Sequence, residues 1–183
     1  MVPFVTCLDE LKEVRALVKE IAKELDAEKM QYGKDVEVGC MIETPSAALI
    51  ADILAKEADF FSIGTNDLIQ YTMSVDRGNG DVSYLYSALQ PSVLRSIKNI
   101  IESGKKAGIP VAMCGEAASD SLILPLLISF GLEEYSVNPA DVLRTRAAIA
   151  GWSKKDADEL AEKVLSLDTE KEIIEVLEKA NTK

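Results

Sequence analysis

The chain contains no histidine, and this absence excludes several common kinds of active site. Its own residues cannot form a Ser-His-Asp triad, an imidazole acid-base group or a histidine metal ligand. The three cysteines, Cys7, Cys40 and Cys114, are far apart and match neither a zinc-finger nor a CxxC spacing. Such few and scattered cysteines are typical of a reducing compartment, so we expect a cytoplasmic protein.

Long apolar runs and an excess of positive charge are also missing. No apolar run reaches the length of about 18 residues that a membrane-spanning helix needs. The first residues, "MVPFVTCLDELKEV", turn acidic at once, unlike a signal peptide. Lys and Arg number 20 against 31 Asp and Glu, giving a formal charge of -11. We therefore expect neither membrane insertion nor binding to nucleic acid, which such a charge would repel.

The sequence does contain an alternation of short apolar runs and helical stretches. The apolar runs are continuous rather than alternating, which favours strands buried on both faces of a parallel sheet. About five strand-helix units predict a one-domain α/β fold, either an open sheet or an incomplete (β/α)8 barrel. The predicted strands are residues 2–6, 36–43, 59–65, 109–115 and 134–137, and predicted helices include 8–30, 45–58 and 91–108.

The last part of the chain, residues 153–183, carries two capping-box patterns. Ser153 is followed by Asp156 and Thr169 by Glu172, each three positions later. These patterns predict the starts of two terminal helices. We interpret residues 1–183 as one barrel-type domain in which 153–183 form C-terminal helices.

Acidic side chains follow two of the predicted strands at the points where the strands end. Glu43 ends one strand, and Asn66 and Asp67 end the next. Ligands of parallel α/β folds gather at the carboxyl ends of strands, so the two carboxylates are expected to converge. Hard oxygen ligands without His or Cys favour Mg²⁺. The alternative is that both acids only stabilise helix N-termini.

Two further side chains are candidates for chemistry. Cys114 ends the fourth predicted strand and could be an activated thiol, although a free cysteine is more often a small buried hydrophobe. Arg77 lies in a glycine-rich loop and could bind phosphate, although a lone loop arginine is often only solvated. We assign Cys7 and Cys40 to the core.

The segments "GCMIETPSAALIADILAKEADFFSIGTNDLIQYTMSVDRGN" and "VAMCGEAASD" resemble a known family. They are similar to the C-terminal phosphoenolpyruvate-binding domain of phosphoenolpyruvate-protein phosphotransferase, enzyme I of the bacterial sugar phosphotransferase system. The resemblance extends from about Val2 to Arg146. It implies the C-terminal part of a TIM-type barrel with parallel strands.

The resemblance also implies roles for individual residues. Mg²⁺ would be held by Glu43 and Asp67, and phosphoenolpyruvate would be bound by Asn66, Asp67 and Arg77. Cys114 would protonate the enolate to give pyruvate. Two departures lie on the loop side: Ser119 replaces a usual glycine, and "YSVNP" replaces the commoner "FSMS".

The resemblance implies that three barrel strands and the domain carrying the phosphorylated histidine are missing from this chain. Partners would be phosphoenolpyruvate and pyruvate, the phosphocarrier HPr reached through the missing N-terminal domain, and a second copy in a homodimer. Three alternatives stay open. They are a domain like that of pyruvate phosphate dikinase or phosphoenolpyruvate synthase, a non-catalytic truncated dimerisation fragment, and an aldolase-like Mg²⁺/pyruvate lyase.

Overall fold

The computed structural model of the chain describes residues 1–181 and consists of a small parallel sheet covered by helices. The strands are β1 (Cys40–Ile42), β2 (Phe61–Gly64), β3 (Val111–Cys114) and β4 (Glu134–Tyr135). They pair in parallel in the order β1-β2-β3-β4. Sequential order with helical crossovers is the arrangement of neighbouring units in a (β/α)8 barrel, so the predicted parallel α/β class is confirmed.

Nine α-helices occur among the described residues, and three short 3-10 turns lie between them. The helices are α1 (Leu8–Ala27), α2 (Pro45–Leu49), α3 (Ala51–Leu54), α4 (Thr65–Met73), α5 (Pro91–Ala107), α6 (Leu124–Phe130), α7 (Val142–Ala150), α8 (Lys154–Leu165) and α9 (Glu170–Asn181). The 3-10 turns are Ser83–Leu85, Glu116–Ser119 and Pro139–Asp141. None of the helices in residues 1–181 has the length and apolarity needed to cross a bilayer.

The first predicted strand, residues 2–6, was wrong as a full strand. Only Val2 pairs there, in a single parallel bridge to Cys40. The next residues cannot extend the ladder, because Pro3 has no N–H and Phe4 adopts a left-handed φ of 52°. Val2 still lies beside β1, so five extended segments follow one another across the molecule.

The predicted helix 45–58 is interrupted and forms α2 and α3 instead. Thr44 caps α2 by accepting a hydrogen bond from Ala47 N at 3.1 Å. The break at Ile50 coincides with an outside donor, since Asn99 Nδ2 donates to the carbonyl of Ala48 at 2.7 Å. A side chain from α5 therefore takes a carbonyl that a continuous helix would use internally.

The two faces of the sheet differ in burial. One face packs under the helices, and five of its side chains are 0% exposed: Cys40, Ile42, Phe61, Ile63 and Met113. Val111, on the same face, is partly exposed. The alternate positions point to the opposite, more open face, which includes Met41, Ala112 and Cys114. Of the two faces, the second is therefore the one from which polar side chains of the sheet can reach a ligand.

The C-terminal helices begin at the predicted capping residues. Ser153 Oγ accepts from Asp156 N at 3.1 Å, which caps α8. Before α9, Thr169 N donates to Glu172 Oε2 at 3.1 Å and Glu172 N donates to Thr169 Oγ1 at 3.3 Å. The second pattern is thus a complete capping box. The division of the chain into a barrel part and C-terminal helices at residue 153 stays a prediction. The last two residues of the predicted helical segment 153–183 lie outside the described part of the chain.

Candidate active site

The candidate side chains lie at the carboxyl end of the sheet, on three neighbouring strands. Glu43 directly follows β1, and Cys114 is the last residue of β3. Asn66 and Asp67 lie in the first turn of α4. The sequence pattern places them at the end of the preceding strand. Because the strands are parallel, these positions share one rim of the sheet.

Glu43 is a buried acid, only 3% exposed. Its Oε1 accepts a hydrogen bond from Phe4 N at 2.8 Å, which ties the N-terminal segment to the rim. Burial raises the pKa of Glu43 above its ordinary value, the Phe4 hydrogen bond lowers it, and the nearby charge of Asp67 raises it further. The two acids are therefore close enough to repel each other.

Gly64 provides the space in which the Glu43 side chain lies. A Cβ on Gly64 would be 2.6 Å from Glu43 Oε2 and 2.9 Å from Glu43 Cβ. Gly64 pairs in register with Cys114 on the other side. Because position 64 has no side chain, the Glu43 side chain can pack against β2, which lies between β1 and β3.

Asn66 and the loop after β3 are packed together through Gly115. Gly115 has a φ of 93°, and a Cβ on it would be 2.3 Å from Thr65 Oγ1. Thr65 Oγ1 donates to the Cys114 carbonyl at 2.9 Å, and Glu116 N donates to Asn66 Oδ1 at 3.4 Å. These contacts fix the start of α4 against the end of β3, so Asn66 and Cys114 lie near each other.

The Cys114 thiol is half-buried and has two polar neighbours. Its Sγ donates to the Ile63 carbonyl at 3.5 Å and accepts from Ser62 Oγ at 3.7 Å. It therefore faces the polar rim rather than the core.

The other two cysteines differ in burial. Cys40 is fully buried, which raises its pKa to about 11. The assignment of Cys7 to the core was wrong: it is exposed, because it is the N-cap residue of α1.

Arg77 lies in an exposed loop after α4, and Tyr86 joins this loop to the rim. Tyr86 Oη donates to the carbonyl of Asn66 at 3.1 Å. Burial raises the pKa of Tyr86, whereas the adjacent Arg77 guanidinium lowers it and the charges of Glu116 and Asp67 raise it. Arg77, Asp67 and Glu116 thus all lie within electrostatic reach of one phenol.

The residues present fit a divalent cation of the magnesium type. Glu43 and Asp67 supply two hard oxygen donors, and neither forms an ion pair in the described part of the chain. A cation between them would relieve the repulsion that helps to raise the pKa of Glu43. Residues 1–181 hold no group of three or more His, Cys, Asp or Glu with metal-site geometry. Two carboxylates with open positions suit Mg²⁺, which usually retains water and substrate oxygens.

Comparison with known proteins shows the family to which the chain belongs. The family model for the PEP-utilising enzymes, in its PEP-binding domain, matches residues 1–153. The chain belongs to this family. Curated relatives named phosphoenolpyruvate-protein phosphotransferase are 43% identical in Priestia megaterium, 45% in Bacillus subtilis (strain 168) and 44% in Staphylococcus aureus. These alignments cover 96%, 95% and 97% of this chain respectively.

The chain spans only 30% of the length of the first two relatives and 31% of the third. A solved structure with a similar fold is a citrate lyase from Burkholderia xenovorans LB400, with a TM-score of 0.59 at 18% identity. The likeness covers 98% of this chain and 62% of that one. It supports the fold of this PEP-utilising family member.

Sequence reasoning missed two residues that shape the site of this family member. The position of Gly64 at the end of an apolar run is a recognisable signal, because glycine in a strand often marks a close approach. Nothing in the local pattern around Tyr86 marks it, since its partners Asn66 and Arg77 are distant in sequence. The roles predicted for Glu43, Asn66, Asp67, Arg77 and Cys114 stay predictions. The structure brings four of these residues to one rim and places Arg77 in an exposed loop beside it.

Proposed function

We propose that this chain is the phosphoenolpyruvate-binding part of a phosphoenolpyruvate-protein phosphotransferase. In this function, phosphoryl transfer from phosphoenolpyruvate is assisted by Mg²⁺ and leaves an enolate that becomes pyruvate. Family membership and the names of relatives at 43–45% identity support the proposal. The same names favour this function over the dikinase, synthase and lyase alternatives.

The single observation that carries the proposal is the convergence of two acids and a thiol on one rim. Glu43 follows β1, Asp67 lies in the first turn after β2, and Cys114 ends β3. Asp67 is near enough to Glu43 for its charge to raise the Glu43 pKa. A pair of acids kept only as helix caps would not need a glycine that makes room for one of them.

Substrate binding would use the polar groups around α4. Arg77 would form paired hydrogen bonds with phosphate oxygens, and Asn66 would orient the same group. Glu43 and Asp67 would hold the cation. When bound, Mg²⁺ would draw negative charge from the phosphoryl and carboxylate oxygens of phosphoenolpyruvate.

Cys114 would act after the phosphoryl group has left. Its thiol would give its proton to the methylene carbon of the enolate, producing pyruvate and a thiolate. The thiol donates to the Ile63 carbonyl, so a rotation about the Cβ–Sγ bond of Cys114 would turn its proton away from that carbonyl and leave the sulfur beside Ser62. Ser62, the donor to the sulfur, would then stabilise the thiolate.

The phosphoryl acceptor must come from elsewhere, because this chain contains no histidine. We propose that the acceptor is a histidine of another domain, from which the group passes to HPr during sugar uptake. We further propose a homodimer working in the cytoplasm, where the Cys114 thiol stays reduced. By itself the chain would bind phosphoenolpyruvate without completing transfer.

Titration calorimetry of phosphoenolpyruvate into the chain with Mg²⁺ tests this function. We expect Mg²⁺-dependent binding heat that Asp67→Ala and Glu43→Gln each abolish or weaken more than tenfold. Asp52→Ala is the matched control, because this exposed acid on α3 removes the same charge away from the rim. Binding that is unchanged in both rim variants would refute the metal assignment.

A further inference from the structure

The loop that carries Arg77 is tethered at two points to α4. At its start, Arg77 N donates to Gln70 Oε1 at 3.3 Å, near the end of that helix. At its far side, Tyr86 Oη donates to the Asn66 carbonyl at 3.1 Å, in the first turn of the same helix. Residues 78–81, between these tethers, are all exposed.

The Tyr86 hydroxyl lies where three parts of the rim meet. It contacts the first turn of α4 through Asn66, and the Arg77 guanidinium is near enough to lower the pKa of the phenol. The charges of Asp67 and of Glu116, which follows β3, also act on the phenol. The Tyr86 ring packs partly buried against the core, so the position of the hydroxyl is set from behind.

The hydrogen bond to Asn66 is not needed to satisfy the backbone. A carbonyl in the first turn of a helix already accepts from the N–H four residues later, which here is Gln70. A carbonyl oxygen has two lone pairs, so the Tyr86 hydroxyl is a second donor. Its loss leaves no buried carbonyl without a partner, and the contact therefore serves placement more than stability.

We propose that Tyr86 is a positioning residue for phosphate binding. It holds the Arg77 loop over the first turn of α4, so that the guanidinium and the groups of Asn66 and Asp67 face one phosphate. This inference rests on the proposed function, since it assigns the phosphate to that same rim. Tyr86 acts through Arg77 and does not need to contact the substrate.

Two variants separate positioning from general stability. Tyr86→Phe removes the hydroxyl and keeps the ring, whereas Tyr84→Phe makes the same change in the same segment at a side chain that is 73% exposed. The first measurement needs no ligand: trypsin cleavage after Arg77 is followed by mass spectrometry. We expect cleavage about 5–10-fold faster in Tyr86→Phe, the factor that one hydrogen bond of ordinary net strength represents.

The second measurement compares two ligands in the presence of Mg²⁺. Phosphoenolpyruvate carries a phosphate, whereas oxalate offers two carboxylates and no phosphate. We expect Tyr86→Phe to weaken phosphoenolpyruvate binding about 5–10-fold and to leave oxalate binding within about twofold. Tyr84→Phe should change neither affinity.

The remaining outcomes of these two measurements would each overturn either the tether or the phosphate role. Cleavage at the wild-type rate would show that Tyr86 does not hold the loop. Equal weakening of both ligands, or no weakening of either, would show that it does not position a phosphate-binding group. If the wild-type chain bound neither ligand, the proposed function and the phosphate role would both fall, and the cleavage rates would still decide the tether.

Discussion

The carboxylate of Glu43 occupies the space that a side chain at Gly64 would need. A Cβ on Gly64 would come within 2.6 Å of Glu43 Oε2. The two residues lie on neighbouring strands, and the register places Gly64 beside Cys114 as well. The placement of the proposed metal ligand thus depends on a missing side chain next to it.

Gly64→Ala should therefore impair cation binding more than folding. The added methyl group forces Glu43 to move, although the φ of Gly64, -86°, suits alanine. We expect Mn²⁺ affinity, measured by electron paramagnetic resonance, to fall at least about tenfold, as a displaced ligand predicts. Gly33→Ala is the control, because a Cβ there meets nothing within 4 Å. Equal Mn²⁺ affinities in the two variants would contradict this role of Gly64.

Gly115→Ala should disturb the contact between β3 and α4. Gly115 has a φ of 93°, and its Cβ would lie 2.3 Å from Thr65 Oγ1. Gly108 has a similar φ of 73° but open space around it, so Gly108→Ala isolates the backbone strain of about 1–2 kcal/mol. In urea unfolding we expect both variants to lose stability, Gly115→Ala more so. Only Gly115→Ala should also weaken phosphoenolpyruvate binding, and intact binding in that variant would count against the packing argument.

The three cysteines should react at different rates with a thiol reagent. Cys40 is 0% exposed and its pKa is raised to about 11 by burial, so it should react only on unfolding. Cys7 is exposed and Cys114 half-buried, and both should be modified in the native chain. Phosphoenolpyruvate with Mg²⁺ should protect Cys114 and leave Cys7 unprotected, as peptide mapping would show. Protection of Cys7 instead, or of neither thiol, would place the ligand away from the rim.

Asp59 should make the stability of the fold depend on pH, independently of the candidate site. Its carboxylate accepts from Val38 N at 2.6 Å and pairs with Arg15 at 2.9 Å, and these contacts lower its pKa. A lowered pKa stabilises the fold above the unfolded value of about 3.9 and ceases to do so as pH falls through the folded value. Asp59→Asn should cost about 1–2 kcal/mol in unfolding free energy at pH 7. This deficit should shrink below about pH 4.

The matched control for this prediction is Asp26→Asn. Asp26 also pairs with a cation, Lys34 at 3.3 Å, but both side chains are more than half exposed. An exposed pair contributes little, so unfolding free energy should be nearly unchanged at every pH. A deficit of Asp59→Asn that stays constant from pH 7 to about pH 3 would show that the charge of Asp59 is not what stabilises the fold.

Local patterns predicted the parts of this fold that depend on local interactions. The capping box of Thr169 and Glu172 and the parallel α/β class follow from residues close together in sequence. The break in residues 45–58 depends on Asn99, and the loss of the first strand depends on the backbone of Phe4. A contact between distant segments decided the first, and no periodicity reports such a contact, whereas the second is local to Pro3 and Phe4.

The same distinction applies to the candidate site. Strand ends could be located from apolar runs, so the shared rim of Glu43, Asp67 and Cys114 was predictable from topology. The contact of Tyr86 with Asn66 joins residues 20 positions apart through an irregular loop. Cys7 was misplaced because a cysteine in an apolar run is usually buried, whereas here it caps a helix.

The most direct test of the account is anomalous diffraction from crystals of the chain containing Mn²⁺ and phosphoenolpyruvate. We predict one manganese peak on the rim, with an oxygen of Glu43 and an oxygen of Asp67 each within about 2.3 Å, and with the phosphate facing Arg77. A peak bound by only one of these acids, or a phosphate bound away from Asn66 and Arg77, would contradict the account.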